Sequence, residues 1–533
     1  VGCALFVVDA SEGWRPQSAE HLAILDLLGI PAGVVALTKA DLVEEAARDQ
    51  VAAEVAARLQ GTALAGAAVV PTAVPSGLGV DTLAAALDAA LDRLPEPPDR
   101  GRPRLPVDRV FTMRGSGTVV TGTLSGGSLR AAGEAELLPS GRRVRVRGLQ
   151  GHGRPLAEAT PARRLAVNLA GVATAQVARG DVLALPGQWA ATSTADCRLR
   201  CLTGAPAPLG WRGAYLVYAG AAESPARLQP IDAAEVRPGG DALVRLHLER
   251  PLVLDAFEPV VLRDSGRDET VGGGLVLDPF PPAAVRGTAA RVRRTEELEA
   301  REAAGPAGLL DRVLAERGVV PLADLPRLAG VAPDRLPPAP SAVRSRTLAW
   351  ARDAWEAATA AVLAAVERQH RDDPSAAGLP AQAARSAATA PAAGPGGGLA
   401  GPGGAPGAAW PAAAGAEVVE ALVAAGRLVP DGPTLRSPGH GVRLDPAQQA
   451  LVARVEAALD EAGVGLLGEA ALQELGADRK ATALLVRLGV LVAVAPGGYL
   501  GRSTLEGAVA TLRGSFPDGR LFAATEAREA LGT

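Results

Sequence analysis

Thr38-Lys39-Ala40-Asp41 closes an apolar run, Gly33-Val34-Val35-Ala36-Leu37, and carries residue types suited to reading a base. The Asp41 carboxylate can accept from the N1 and N2 hydrogens of guanine, the Lys39 stem can pack over the ring, and Thr38 can brace the loop. Lys39 and Lys480 are the only lysines among 54 basic residues. A lysine kept in an arginine-rich background points to a place where a planar guanidinium would not serve, because the two cations differ in shape and hydration. Four such residues also occur in ordinary solvated loops after strands, so the surrounding elements have to decide.

Residues 1–94 alternate between strand and helix patterns. Ala4–Asp9 reads as an apolar strand, and Gln17–Leu28 as a helix stopped by Gly29 with Pro31 beyond. Strand Gly33–Leu37 runs into the Thr38–Asp41 loop, and a helix follows from about Val43 to Leu59. A short strand then ends at Pro71-Thr72-Ala73, and Asp81 is placed to cap a helix over Thr82–Leu94. Repeated βα units imply a parallel sheet with ligands beyond the carboxyl ends of its strands, where both Thr38–Asp41 and Thr72-Ala73 fall.

At 533 residues the chain is long enough for several domains with separate cores. It contains no stretch of about 20 apolar residues, so no membrane span and no membrane partner are expected. The three cysteines, Cys3, Cys197 and Cys201, form no disulfide framework, and the five histidines have no metal-ligand spacing. No metal site is expected, and a reducing cytoplasm fits. A net charge of -4 excludes a surface coated in positive potential. Local patches remain open: Arg142, Arg143, Arg145 and Arg147 form one arginine cluster, and Arg291, Arg293 and Arg294 another, each equally readable as ordinary solvated charge.

Pro95 to Pro106 is a Pro/Arg-rich linker, and from Leu105 to Phe280 short alternating segments broken by Gly and Pro indicate closed β-structure. That segment is long enough for two barrels with a seam near Pro186 to Thr194. Beyond Arg291 the chain turns helical, and residues 378–415 read as an Ala/Gly/Pro low-complexity insertion without a core. Asp445-Pro446-Ala447-Gln448 supplies an N-cap, a proline at the first helical position and a capping-box glutamine. Three helices and a hairpin through Pro496-Gly497-Gly498 then make a winged-helix pattern over 438–501, and a second such pattern starts near Thr504.

This order of segments resembles the bacterial selenocysteine-specific elongation factors, translational GTPases related to elongation factor Tu. The resemblance rests on Phe6-Val7-Val8-Asp9-Ala10-Ser11-Glu12-Gly13-Trp14-Arg15-Pro16-Gln17 with Glu20-His21-Leu22, and on Asp108-Arg109-Val110-Phe111 with Gly115-Ser116-Gly117-Thr118-Val119-Val120-Thr121-Gly122-Thr123. It is strengthened by Arg263-Asp264 and Glu269-Thr270-Val271-Gly272-Gly273-Gly274, ending in Leu277-Asp278-Pro279. Two short strings are set aside. Gly115 to Gly122 has no following helix to hold a phosphate, and Pro438-Gly439-His440 lies far from the α/β domain and reads as a structural turn.

The resemblance implies a multidomain fold: a partial α/β P-loop-type G domain (1–98), two all-β barrels (99–187 and 188–283), then an α+β winged-helix array (290–345, 346–437 with the insertion 378–415, 438–501, and an incomplete unit 502–533). It implies GTP or GDP held by Thr38, Lys39, Asp41, Thr72 and Ala73, with the Ala73 N–H reaching the guanine O6. It further implies selenocysteinyl-tRNA recognition by Asp108, Arg109 and Arg164, with Asp108 orienting Arg109. The other implied partners are the ribosome and the selenocysteine-insertion hairpin of the mRNA, and the protein is expected to be a cytoplasmic monomer. Because the G-x-x-x-x-G-K-[ST] loop, the switch threonine and the Asp-x-Pro-Gly-His segment are absent, the chain is expected to be a fragment. On that expectation no catalytic residue is assigned within it, it hydrolyses GTP negligibly, and Mg²⁺ belongs to the intact protein only. Alternative readings are another Tu-like translational GTPase, or a winged-helix DNA-binding protein with a degenerate nucleotide domain.

Overall fold

The computed structural model describes residues 2–113, 117–282, 287–339, 341–390, 410–516 and 521–532. Gly115, Ser116, Thr533 and residues 391–409 of the expected insertion lie outside the described residues. The chain divides into two compact units, one running to Glu356 and the other built on Ala357–Ala390 with the residues from Gly415 onward.

In the first unit, β1 (Cys3–Asp9), α1 (Pro16–Leu27), β2 (Ala32–Thr38), α2 (Glu45–Leu59), β3 (Ala68–Pro71) and α3 (Val80–Leu91) form a βα array with sheet order β1-β2-β3. The strands are parallel: Asp9 lies beside Thr38 and Leu37 beside Pro71, so both candidate loops leave the same edge. Phe6, Val8, Val35 and Leu37 alternate into a core with Leu22, Val55 and Leu59, which fixes the register because a one-residue slip would turn them outward. Asp81 does not cap α3. Gly79 occupies the cap position at φ 67°, and a Cβ there would sit 1.9 Å from the Pro71 carbonyl oxygen. Asp81 lies in the first turn, near the positive end of the helix.

The next strands are β4 (Arg104–Met113), β5 (Gly117–Leu124), β6 (Leu129–Arg130), β7 (Glu134–Leu138), β8 (Arg142–Gly151), β9 (Arg154–Leu156), β10 (Glu158–Ala159), β11 (Arg163–Ala170) and β12 (Val182–Ala184). Six of them close into a barrel in the order β11-β5-β4-β12-β7-β8, sealed by the pairing of β8 with β11. A second closed barrel has the order β13-β16-β15-β14-β17-β18, from β13 (Thr192–Cys201), β14 (Tyr215–Ala219), β15 (Ala222–Pro230), β16 (Asp241–Leu252), β17 (Pro259–Asp264) and β18 (Glu269–Asp278). Alternate residues of every strand fill each interior, and Cys197 and Cys201 are free, buried thiols there.

Charge pairs join these parts. Arg104 grips Glu258 with two hydrogen bonds of 2.7 and 2.8 Å, linking the barrels. Glu20 on α1 accepts from the Thr270 N–H and hydroxyl at 3.1 and 2.8 Å, linking the α/β domain to the second barrel. The helical segment α4 (Thr288–Arg317) breaks at Gly305, φ 59° and ψ -167°, just before Pro306. Its Arg294, in the second arginine cluster, is no surface charge: it is 3% exposed and donates to Asp196 and Asp278, each at 2.7 Å. Arg245 reaches Asp196 at 2.6 Å, and Arg301 bridges Asp278 at 3.2 Å to Glu316 at 2.7 Å.

Three small antiparallel sheets punctuate the helical remainder. One pairs Val319–Pro321 and Ala342–Arg344 with Leu348–Ala351, so the boundary expected at 345/346 falls inside a sheet. In the second unit the other two sheets lie between helices, and Asp445 accepts from the Gln448 N–H at 2.7 Å in the expected capping box. His440 stacks on His370 with ring centroids 3.5 Å apart. The insertion expected over 378–415 is corrected at both described ends: Ala381–Thr389 is a helix, and another begins at Ala414. Ala384 and Ala388, four residues apart, are buried, so a small-residue composition concealed a helical stripe.

Candidate functional site

The Thr38–Asp41 loop is built where β1 and β2 end side by side. Thr38 donates its hydroxyl to the Val8 carbonyl at 3.2 Å, and Lys39 turns the chain at φ 55°. That turn aims the Lys39 Nζ at the Asp9 carboxylate, 2.6 Å away. Asp9 also accepts from the Ser11 N–H at 2.8 Å and the Ser11 hydroxyl at 2.7 Å. The Lys39 hydrogen bond first, then that of Ser11, hold the Asp9 carboxyl down to about 2. The same pairing raises the Lys39 ammonium, through its hydrogen bond to Asp9.

The two loops are zipped together by backbone: Ala40 donates to the Thr72 carbonyl at 3.2 Å, and Thr72 donates to that of Leu37 at 2.8 Å. Thr72 and Ala73 are buried, whereas Lys39 and Asp41 are open to solvent. The Ala73 N–H does not point to a base. It donates to the Leu78 carbonyl at 2.9 Å, because the chain bends back at once toward α3. Thr38, Lys39, Asp41, Thr72 and Ala73 are therefore gathered, with Ala73 as a wall. Asp9 and Ser11 were missed by sequence reasoning. Their signal is an aspartate ending an apolar strand whose parallel neighbour ends in the lysine loop.

The second cluster lies on the outside of the first barrel. Between Val107, beside Gly122, and Arg109, beside Thr121, the β4–β5 register shifts by one residue. Asp108 occupies that bulge. A Cβ on Gly122 would meet the Pro106 carbonyl oxygen at 2.2 Å, so the bulge requires a glycine opposite it. Arg164 on β11 then meets Asp108 in a two-point clasp, Nη1 to Oδ2 at 2.5 Å and Nη2 to Oδ1 at 3.0 Å. Thr121 donates its hydroxyl to Asp108 Oδ1 at 2.7 Å. The Arg164 hydrogen bond is the chief cause holding Asp108 below the usual carboxylate range, and the Arg109 charge adds to it.

The expectation that Asp108 orients Arg109 is corrected: Asp108 orients Arg164. Arg109 follows the bulge on exposed backbone and, among the described residues, forms no ion pair or side-chain hydrogen bond. Its charge acts on Asp108 through space. The trio of one carboxylate and two guanidinium groups carries a net positive charge on an open face. Thr121 was also missed, since nothing in Val119-Val120-Thr121 marks one hydroxyl as the partner of a residue across the strand pair.

Comparisons with known proteins extend this geometry to the whole chain. The family model of the elongation factor Tu GTP binding domain matches residues 1–96, and that of the selenocysteine-specific elongation factor beta-barrel domain matches residues 197–283. A selenocysteine-specific elongation factor from Desulfomicrobium baculatum is 32% identical, over 96% of this chain and 80% of its own length. The chain belongs to the selenocysteine-specific elongation factor family. Within that family, the Escherichia coli K12 member is 33% identical over 70% of this chain and 59% of its own length. Elongation factor Tu 2 of Streptomyces avermitilis is 32% identical over 51% of this chain, so the helical remainder sides with the selenocysteine-specific factors. The crystal structure of a bacterial selenocysteine-specific elongation factor, EF-Sec, shares the fold at a TM-score of 0.67 with 18% identity, covering 100% of this chain and 82% of that one. The family places the chain among translational GTPases. Among the described residues no helix is long and apolar enough to cross a membrane.

Proposed function

We propose that this protein delivers selenocysteinyl-tRNA to the ribosome under control of GTP, reading the aminoacyl end on its first barrel. The observation that carries the proposal is Arg109 standing, among the described residues, without an ion pair beside the Asp108–Arg164 clasp. A selenol is acidic enough to be an anion at neutral pH, whereas the hydroxyl of the seryl precursor is neutral. Arg164, fixed by two hydrogen bonds, keeps the cluster in place, and Arg109 supplies the uncompensated charge that favours the anion. Charge-assisted contacts are roughly twice as strong as neutral ones, which is the margin the discrimination uses.

Asp41 and Lys39 suit the guanine base of GTP or GDP: Asp41 accepts from its ring hydrogens, and the Lys39 stem lies along it with its ammonium held by Asp9. Thr38, Thr72 and Ala73 form the wall behind the base through their backbone pairing. In the intact protein, which would carry the phosphate loop and switches, the nucleotide and its Mg²⁺ would supply the γ-phosphate switch that orders tRNA-gripping loops. The small three-stranded sheets with their flanking helices read as winged helices that hold the selenocysteine-insertion hairpin of the mRNA by shape and phosphate contacts. The protein works as a cytoplasmic monomer.

The test is a paired titration with selenocysteinyl-tRNA and seryl-tRNA. Arg109→Ala and Arg164→Ala each weaken the selenocysteinyl complex by about tenfold or more, the cost of one charged hydrogen bond, and barely change the seryl complex. Equal losses for the two tRNAs would rule the pocket out.

A further inference from the structure

The first arginine cluster is not absorbed by the aminoacyl site. On β8, Val144 and Val146 point into the barrel, and Arg143, Arg145 and Arg147 lie on the outer face, all exposed. Strand geometry sets successive members of such a row about 7 Å apart. Some other arginines of this barrel are paired, Arg104 with Glu258, Arg130 with Glu158 and Arg164 with Asp108. Among the described residues the three on β8 make no ion pair or side-chain hydrogen bond.

The two flanks of the row differ. On the β7 side, Glu136 lies beside Arg143 and Glu134 beside Arg145 in the register, and Glu136 is turned to the Gly187 N–H at 2.9 Å. On the β11 side the neighbours are Ala170 beside Arg145, Asn168 beside Gly148 and Ala166 beside Gln150, without a carboxylate. A Cβ at Gly148 would meet nothing within 4 Å. The row therefore borders a low, neutral strip that a polymer backbone can approach closely. Neither β8 nor β11 carries an aromatic side chain, so there is no platform on which unpaired bases could stack.

We infer that the outer face of β8 is a second RNA-docking surface, taking the phosphate backbone of a duplex through Arg143, Arg145 and Arg147. Three exposed cations along one strand, the last of them at the register shift between Val146 and Gly148, suit a line of phosphates and read no sequence. That the duplex is RNA rests on the tRNA-delivery reading; the arginine row itself requires only phosphates. Arg164 sits six residues along β11 from Ala170, the neighbour of Arg145, so the two surfaces are separable by mutation.

The test follows binding of a short RNA duplex of arbitrary sequence by fluorescence anisotropy between about 50 and 200 mM salt. The triple variant R143Q/R145Q/R147Q is expected to bind at least about tenfold more weakly at 100 mM salt, with the slope of log K against log salt reduced by about two to three. R143K/R145K/R147K keeps the slope, because the charges remain, and an unchanged unfolding midpoint shows that the glutamine variant is folded. The glutamine variant also weakens selenocysteinyl-tRNA and seryl-tRNA equally, whereas failure of the aminoacyl reading would appear in the ratio of the two. An unchanged slope overturns the inference. So does loss of polyglutamate binding with duplex binding intact, which would assign the row to an acidic protein.

Discussion

Arginine clasps a carboxylate at two points in both barrels, and burial separates what the two clasps do. In the second barrel, Asp196 and Asp278 are at most 2% exposed and Arg294 is 3% exposed, so the charges are sealed against α4. In the first barrel, Arg164 is 52% exposed and Asp108 28%. The sealed network can only hold parts together. The open clasp should contribute little to stability, and beside it Arg109 forms no ion pair among the described residues. Both places pair arginine with aspartate, and exposure to solvent separates their roles.

The largest effect should come from breaking the sealed network. Arg294→Ala removes the cation shared by Asp196 and Asp278, which keep Arg245 and Arg301, and the upper bound is the cost of breaking a buried pair, about 3–5 kcal/mol. Urea unfolding followed by circular dichroism would show the loss directly, and a change within error of zero would mean that water enters the network. The same assay on Arg164→Ala should register at most about 1 kcal/mol, as exposed ion pairs do. A loss as large as that of Arg294→Ala would erase the contrast and recast Asp108–Arg164 as structural.

The contrast also explains what could be read from the chain. Asp108, Arg109 and Arg164 were grouped through the family resemblance alone, and the Thr38–Asp41 loop was legible because its residues are adjacent and end a strand pattern. The partner of Asp108 was not, since it depends on β11 lying beside β5 and on a one-residue bulge in β4, both products of barrel closure. Arg294 looked like surface charge in a run of arginines. Its signal was helical: Arg294, Leu298 and Arg301 recur at one face of α4 and are all buried. The helix over Ala381–Thr389 was hidden by composition, because alanine and glycine content was weighed before spacing.

Lys39–Asp9 is an open pair like Asp108–Arg164, with Asp9 20% exposed and Lys39 55%, and it gives the subtlest effect. The Asp9 carboxyl stands at about 2 against 3.8 when free, so the folded state binds its proton less readily than the unfolded chain. A depressed carboxyl adds stability that is complete above about pH 4 and vanishes as the pH falls through 2. The unfolding midpoints of the native protein and Asp9→Asn should therefore differ by a constant amount from pH 7 down to about 5 and converge below 4. Because Lys39 and Lys480 are the only lysines, acetylation at alkaline pH has an internal reference. Lys39, raised by its bond to Asp9, should react more slowly than Lys480, which is 86% exposed and 3.7 Å from Asp373. Asp9→Asn should narrow that gap as read by mass spectrometry. If the two lysines react alike in the native protein, Asp9 does not hold the ammonium in solution, and the Thr38–Asp41 loop owes its shape to backbone pairing alone.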